Sequence, residues 1–237
     1  MLKQIDVVYE DNHLLALNKA SGVLSQGDKT GDDSILEVGK AYLIDKYKKS
    51  GEAYLGLPHR LDRPTSGLIL LAKTSKALSR LNKMFQDHEV EKTYWAVVKE
   101  KPQPPNGHLR HYLRRDRQKN KSTASDRETK DSKLAELDFQ TLLSLDNYHL
   151  LEVKPKSGRH HQIRSQLSKI GCPIKGDLKY GFPRSNPDAS IHLHARSIAF
   201  IHPVKKEKLR ITAAPNPKDP IWKHCAKAFP AKASEFL

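Results

Sequence analysis

"HRLDRPTSGLILLAK", residues 59 to 73, joins two patterns whose sum fixes the reading of the whole chain. Its second half, from Gly67 to Ala72, is an apolar run of the length of a buried strand. Its first half sets Asp62 between Arg60 and Arg63 and closes with Pro64, Thr65, Ser66 and Gly67, all turn formers. A carboxylate held close to two guanidinium groups stays ionised and is a poor general acid. It suits a nucleophile, a base or a structural anchor. The turn and the strand that follows put Asp62 at a sheet end. A structural ion-pair cluster is the competing reading.

Upstream, "IDVVYEDNHLLALNKASGVLS" alternates short apolar runs with turn residues. The pattern predicts a strand from Ile5 to Tyr9, a turn from Glu10 to His13 and a strand from Leu14 to Asn18, paired as a hairpin. "GDKTGDDS", residues 27 to 34, is a loop, and its last residue, Ser34, caps a helix running to about Lys48. Ile35, Val38 and Tyr42 fall on one face of that helix. Downstream, Ala77, Leu78, Leu81, Met84 and Phe85 recur at helical intervals between Thr74 and His88. "KTYWAVV" reads as a strand dense in aromatic and β-branched residues.

The region from Pro102 to Lys133 is either a mobile basic segment or an exposed hairpin. Two further strands follow in "AELDFQTLL" and "YHLLEVKPKSG", then a helix over "GRHHQIRSQLSKIG" with Ile163, Leu167 and Ile170 as its apolar stripe. Gly171 stops it. "CPIKGDLKYG" is a turn-rich loop, and "IHLHARSIAFIHP" and "KLRITAA" are closing strands. Strands dominate, helices are interspersed and hairpins imply antiparallel pairing. The predicted class is α+β, a large mixed, mainly antiparallel sheet flanked by helices and loops. No linker or internal repeat breaks the chain, so a single domain over residues 1–237 is expected.

The 42 Lys and Arg against 27 Asp and Glu give a net charge of +15, which calls for a polyanionic partner. No apolar run approaches the roughly 20 residues that span a bilayer. Asp6, Glu10 and Asp11 interrupt the start before any signal-peptide stretch forms, and a cytoplasmic location is expected. Cys172 and Cys225 fit no metal or redox spacing and read as free thiols.

Several clusters carry candidate chemistry. In "SGRHHQIR", residues 157 to 164, Arg159 and His160 are expected in the first helical turn, with His161 and Arg164 on one face. Such a helix start is a phosphate site, or simply the polar face of an amphipathic helix. Tyr94 and Trp95 point to opposite faces of their strand, so that one is core and the other can stack on a base. Lys175, Asp177 and Lys179 form either a phosphate-contacting turn or a plain one. Among the 12 His no zinc-protease or zinc-finger spacing occurs. Glu152 and Lys154, with Asp138 and Asp146, resemble the carboxylate set of a Mg²⁺-dependent nuclease.

Taken in order, these segments resemble the RluA-type pseudouridine synthases. "HRLDRPTSGLILLAK" is similar to the family signature, "YEDNHLLALNKASG" to its N-terminal motif and "EKTYWAVV" to its Lys-x-Tyr strand. "VKPKSGRHHQIRSQLSKIGCPIKGD" and "LHARSIAFIHP" are similar to its third and closing motifs. The resemblance runs from about Ile5 to about Ala214 and implies isomerisation of uridine in ribosomal or transfer RNA. It implies that Asp62 is the catalytic aspartate, Tyr94 the residue that packs on the target base, and Arg164 the basic partner of the aspartate. The resemblance also implies that Arg60 is the residue that enters the RNA as the uridine flips out. The expected substrate-binding set is Arg60, His59, Thr65, Arg159, His161 and Gln162. The reaction calls for no metal and no organic cofactor, and a monomer with RNA as its partner, no membrane and no obligatory protein partner is expected.

Two positions depart from the pattern. The N-terminal motif has Ala20 where the family has Pro, and the third has His160 where Thr is common. The chain begins almost directly with the catalytic motifs, so an N-terminal RNA-binding module of the S4 type is not expected. Target choice then falls to the domain and its loops, including Arg114 to Lys133. A non-catalytic RNA-binding protein and the Mg²⁺ nuclease are the rival readings.

Overall fold

The computed structural model describes residues 5–28, 31–232 and 234–236. The start of the chain, used above to judge a signal peptide, and part of the loop predicted over 27–34 lie outside the described residues. The fold is α+β with a large, mainly antiparallel sheet and four α-helices among the described residues. The chain divides into two compact units, Met1–Glu91 with Ala195–Leu237, and Lys92–His194.

In the first unit, β1 (Val7–Glu10) and β2 (Leu14–Lys19) form the predicted hairpin, and β2 pairs antiparallel with β3 (Ser66–Ala72) from Leu14↔Ala72 to Lys19↔Gly67. The runs "LLAL" and "LILLA" are apolar at every position because both faces of these strands are covered. Leu14, Ala16, Leu68 and Leu70 pack with Ala77, Leu81 and Met84 of α2 (Ser75–Gln86). Their neighbours Leu15, Leu17, Ile69 and Leu71 pack with Ile35 and Leu43 of α1 (Ile35–Tyr47). Side chains that alternate with period two thus serve two different helices.

Ser34 caps α1 by accepting the Glu37 N–H, and Thr74 caps α2 by accepting the Ala77 N–H. The buried stripe of α1 is Ile35, Gly39 and Leu43 rather than the predicted Ile35, Val38 and Tyr42. Gly39 lies in that stripe close to Leu55, Leu17 and Leu71: a Cβ there would stand 2.9 Å from Leu55 Cδ1 and 3.4 Å from Cδ1 of the other two.

The second unit carries β4 (Glu91–Val98), β5 (Asn106–Asp116), β6 (Lys121–Ser125), β7 (Ser132–Ser144) and β8 (His149–Pro155). The antiparallel order is β4, β8, β7, β5, β6. The basic segment therefore takes the exposed-hairpin alternative: Tyr112 to Asp116 pair with Lys121 to Ser125. Ala96, Val98, Leu137, Phe139, Leu151 and Val153 make one face apolar, and α3 (Gln162–Lys169) covers it with Ile163 and Leu167.

Back in the first unit, β9 (Leu193–Ile201) and β10 (Lys208–Thr212) are the predicted closing strands, with β11 (Glu235–Phe236) on β10. A final helix, α4 (Pro220–Ala228), is not anticipated above. Asp219 caps it by accepting the Trp222 N–H, and Pro220 opens its first turn.

Candidate active site

Asp62 sits on the loop between Pro58 and β3, and the loop is held from beneath by the segment that follows β2. Lys19, the last residue of β2, is fully buried. Its ammonium donates to the carbonyls of Val23 at 2.8 Å, Ala20 at 3.1 Å and Arg63 at 3.3 Å. Burial pushes the Lys19 amine down to about 7, the Asp62 carboxylate pulls it up, and Arg63 adds to the downward push.

Ser21 donates to the Pro64 carbonyl at 2.8 Å, and the Gly22 N–H donates to the Arg63 carbonyl at 2.8 Å. The Ser25 hydroxyl donates to the Leu61 carbonyl and accepts the Leu61 N–H, closing both backbone groups of the residue before Asp62. Within the loop the Thr65 N–H donates to the Asp62 carbonyl at 3.0 Å. Ala20 in place of Pro leaves these bonds intact, because none of them needs a ring at that position.

The other motif residues of this unit have separate roles. Arg60 is exposed and makes no hydrogen bond or ion pair with a described residue. Arg63 reaches Asp32 at 2.7 Å and the Gly22 carbonyl at 3.0 Å. The His59 ring accepts the Leu70 N–H at 2.8 Å and stacks on Phe85 at 4.8 Å, so it joins the loop to β3. Thr65 is buried, and its hydroxyl has no hydrogen-bond partner among the described residues.

Gly67 sets the path into β3. Its φ is +113°, and a Cβ there would stand 2.4 Å from the Ala195 carbonyl oxygen. Only glycine fits that approach.

In the second unit Trp95 is core and Tyr94, one residue earlier on β4, is partly buried against the apolar face shared with α3. The predicted start of α3 is corrected: the helix begins at Gln162, so Arg159 and His160 lie in the loop before it and His161 is its cap. Two features stop the helix there. His161 has φ 53°, a left-handed turn that no helix passes through. The Gln162 side chain accepts from the Ser157 hydroxyl at 2.8 Å and the Arg159 N–H at 3.0 Å, and donates to the Glu136 carbonyl at 3.0 Å. Gln162 thereby replaces the missing helical turn with a side-chain brace. Arg159 is exposed, and its Nε donates to the Leu134 carbonyl.

Arg164 is buried, and its guanidinium makes a forked pair with Asp177, at 2.7 and 2.8 Å. The fork holds the guanidinium in one plane. Asp177 is the residue that sequence reasoning placed in a turn without seeing its purpose. In that loop Asp177 is buried against Arg164, and Lys175 bonds Asn186 at 2.6 Å. Tyr180, at the end of a short 3-10 turn (Leu178–Tyr180), lies under Arg164 at 5.0 Å and bonds His161 at 3.0 Å. Burial, aided by the positive charge of Arg164, pushes the His161 imidazole down to about 2, so it is neutral at physiological pH.

The carboxylate set of the nuclease reading is occupied by ion pairs. Glu152 pairs with Lys154 at 2.7 Å, Asp138 with His108 at 2.7 Å and Lys156 at 3.2 Å, and Asp146 is exposed in the β7–β8 turn. Among the described residues no group of three or more His, Cys, Asp or Glu is arranged to hold a metal ion. None of their helices is long and apolar enough to cross a membrane.

The aspartate loop with its buried lysine belongs to the first unit, and the strand tyrosine and the forked arginine belong to the second. The sequence model of the RNA pseudouridylate synthases matches residues 13–169, and the chain belongs to that family, in its RluA-type branch. It is 35% identical over 212 residues to ribosomal large subunit pseudouridine synthase C of Rickettsia bellii, spanning 87% of this chain and 67% of that protein. It is 31% identical over 245 residues to tRNA pseudouridine synthase C of Vibrio cholerae, spanning 95% of this chain and 96% of that protein. Human RNA pseudouridylate synthase domain containing 4 has the same fold, with a TM-score of 0.78 and 24% identity over 94% of this chain and 92% of that structure.

Proposed function

We propose that this chain isomerises uridine to pseudouridine in ribosomal or transfer RNA, as a single catalytic domain and a monomer in the cytoplasm. The observation that carries the reading is the Asp62 loop: three hydrogen bonds from Lys19, Ser21 and Gly22 to the Arg63 and Pro64 carbonyls, and two more between Ser25 and Leu61, fix the residues on either side of the carboxylate. A group that attacks one carbon of a flipped nucleotide needs such a rigid mount.

The reaction breaks the N1–C1′ bond and makes a C5–C1′ bond. The C5 proton is lost, N1 gains a proton, and nothing is added to the RNA, so the chemistry calls on acid–base and nucleophilic groups alone. In this reading Asp62 is the nucleophile toward C1′ or the base, Tyr94 packs on the flipped uracil, and Arg164 holds the aspartate. Arg60 and Arg159, both exposed, engage the RNA. His59, Thr65, His161 and Gln162 complete the substrate-binding set by shaping the loops that carry them.

The test is pseudouridine mapping on total RNA from cells with and without the protein, with purified wild type or Asp62→Asn added back in buffer containing a chelator. The expected result is a site that disappears without the protein and returns with wild type alone. Restoration by folded Asp62→Asn refutes the role of Asp62. Strand cleavage that the chelator abolishes supports the nuclease instead.

A further inference from the structure

The β5–β6 hairpin gathers exposed cations at close spacing: Arg114, Arg115, Arg117 and Lys119 follow one another at its tip. Some basic residues elsewhere in this unit are held in pairs: Arg110 with Glu136, Lys154 with Glu152, Lys156 with Asp138 and Lys169 with Asp126. At the hairpin tip Arg114, Arg115, Arg117 and Lys119 are exposed and have no ion-pair partner among the described residues. The single acid among them, Asp116, accepts the Lys119 N–H at 2.9 Å, which shapes the tip. Unpaired cations at this density repel one another and favour a mobile tip unless something holds it.

What holds it is the loop before α3. The His160 ring bonds Asn120 through Nε2 at 3.1 Å and the Ser122 hydroxyl through Nδ1 at 2.9 Å, one contact on the tip and one on β6. With the Asn120 carbonyl oxygen as acceptor, Nε2 carries the proton and Nδ1 accepts from Ser122. The ring also stacks on His161, centroids 3.8 Å apart. Tyr180 closes the network from beneath, bonding both backbone groups of Ser122 and the His161 ring. A Thr at position 160 would lack a second hydrogen-bonding atom at that reach.

We propose that His160 is a positioning residue for RNA binding, latching the unpaired cations of the β5–β6 hairpin so that they meet the phosphates of the substrate already ordered. The hairpin is the grip and RNA backbone is its occupant, chosen by charge complementarity and by an array of donors without acceptors of their own. The latch lowers the entropy lost when the cations engage. It rests on the isomerase reading only for its activity readout.

Two measurements test it. The first is binding of an in vitro transcribed tRNA as a function of salt. The second is tritium release from total RNA labelled with 5-tritiated uridine, taken from cells lacking the protein. Replacing Arg114, Arg115, Arg117 and Lys119 together by Ala is expected to raise KM about tenfold and to reduce the slope of log K against log salt by about 3, with kcat within about twofold. His160→Ala, and independently Ser122→Ala from the hairpin side, are expected to raise KM about threefold alone and to add nothing in the four-cation variant. An unchanged salt slope in the four-cation variant overturns the grip. Multiplicative effects of His160→Ala and the four-cation variant overturn the latch. Absence of tritium release by wild type overturns the isomerase reading alone, since the binding arm still reports on His160.

Discussion

Lys19 shows how much of the site is set by residues that touch no substrate. An ammonium with no exposed surface survives only because three carbonyls accept from it and a carboxylate is near. Its folded pKa, about 7, is below the ordinary lysine value of 10.5. Between those values the unfolded chain holds a proton that the folded chain lacks, so rising pH favours the folded state. The expected outcome is that the stability of wild type, measured by urea unfolding against Lys19→Met, increases across that window by up to about 1.4 kcal/mol per pH unit. A constant difference from pH 7 to 10.5 shows instead that the three carbonyls keep the amine charged. At the same scale, Asp62→Asn is expected to lower turnover by about 10³ or more, in line with loss of a catalytic nucleophile, while the thermal midpoint stays near that of wild type.

Elements were legible where local chemistry decides them. Ser34 and Thr74 announce the caps of α1 and α2, and apolar spacing gives α2 its buried face. The start of α3 was not legible, because "GRHHQIR" has helical spacing throughout and the event that ends the helix at Gln162 is a side-chain bond to Ser157 and to the strand carbonyl of Glu136. That partner is remote in sequence. Asp177 was missed as the fork for Arg164 for the same reason, since thirteen residues separate them. The helix α4 has the usual start signal in Asp219 and Pro220 but a weak apolar stripe, since its buried residues are Trp222 and Cys225. At the entry to β3, Gly67→Ala must place a methyl against the Ala195 backbone at a positive φ. The expected cost is about 3 kcal/mol or more, seen as a lowered urea midpoint with activity lost in proportion to unfolded protein.

Over the whole molecule, the boundary between the two compact units falls inside β4 and β9 rather than in loops. No Pro- or Gly-rich linker marks it, which is why composition suggested one undivided domain. The net charge of +15 is the other whole-molecule property, and it acts on binding rather than on folding. If six or more phosphates are engaged, affinity for a transcribed tRNA is expected to fall by about 10³ or more between roughly 50 and 200 mM salt. A shallow dependence, measured by fluorescence anisotropy, indicates that bases and not backbone dominate the interface. One last feature gives the division between units a practical use. Cys172 lies in the second unit and Cys225 in the first, both are buried, and burial raises both thiols, Cys225 to about 11. Neither sulfur reacts until its surroundings open. The protein therefore carries one built-in chemical clock per unit. A brief pulse of maleimide in mild urea, read by peptide mass spectrometry, times the opening of each half without any added probe, and equal labelling rates at the two positions would mean that both halves open as one cooperative body.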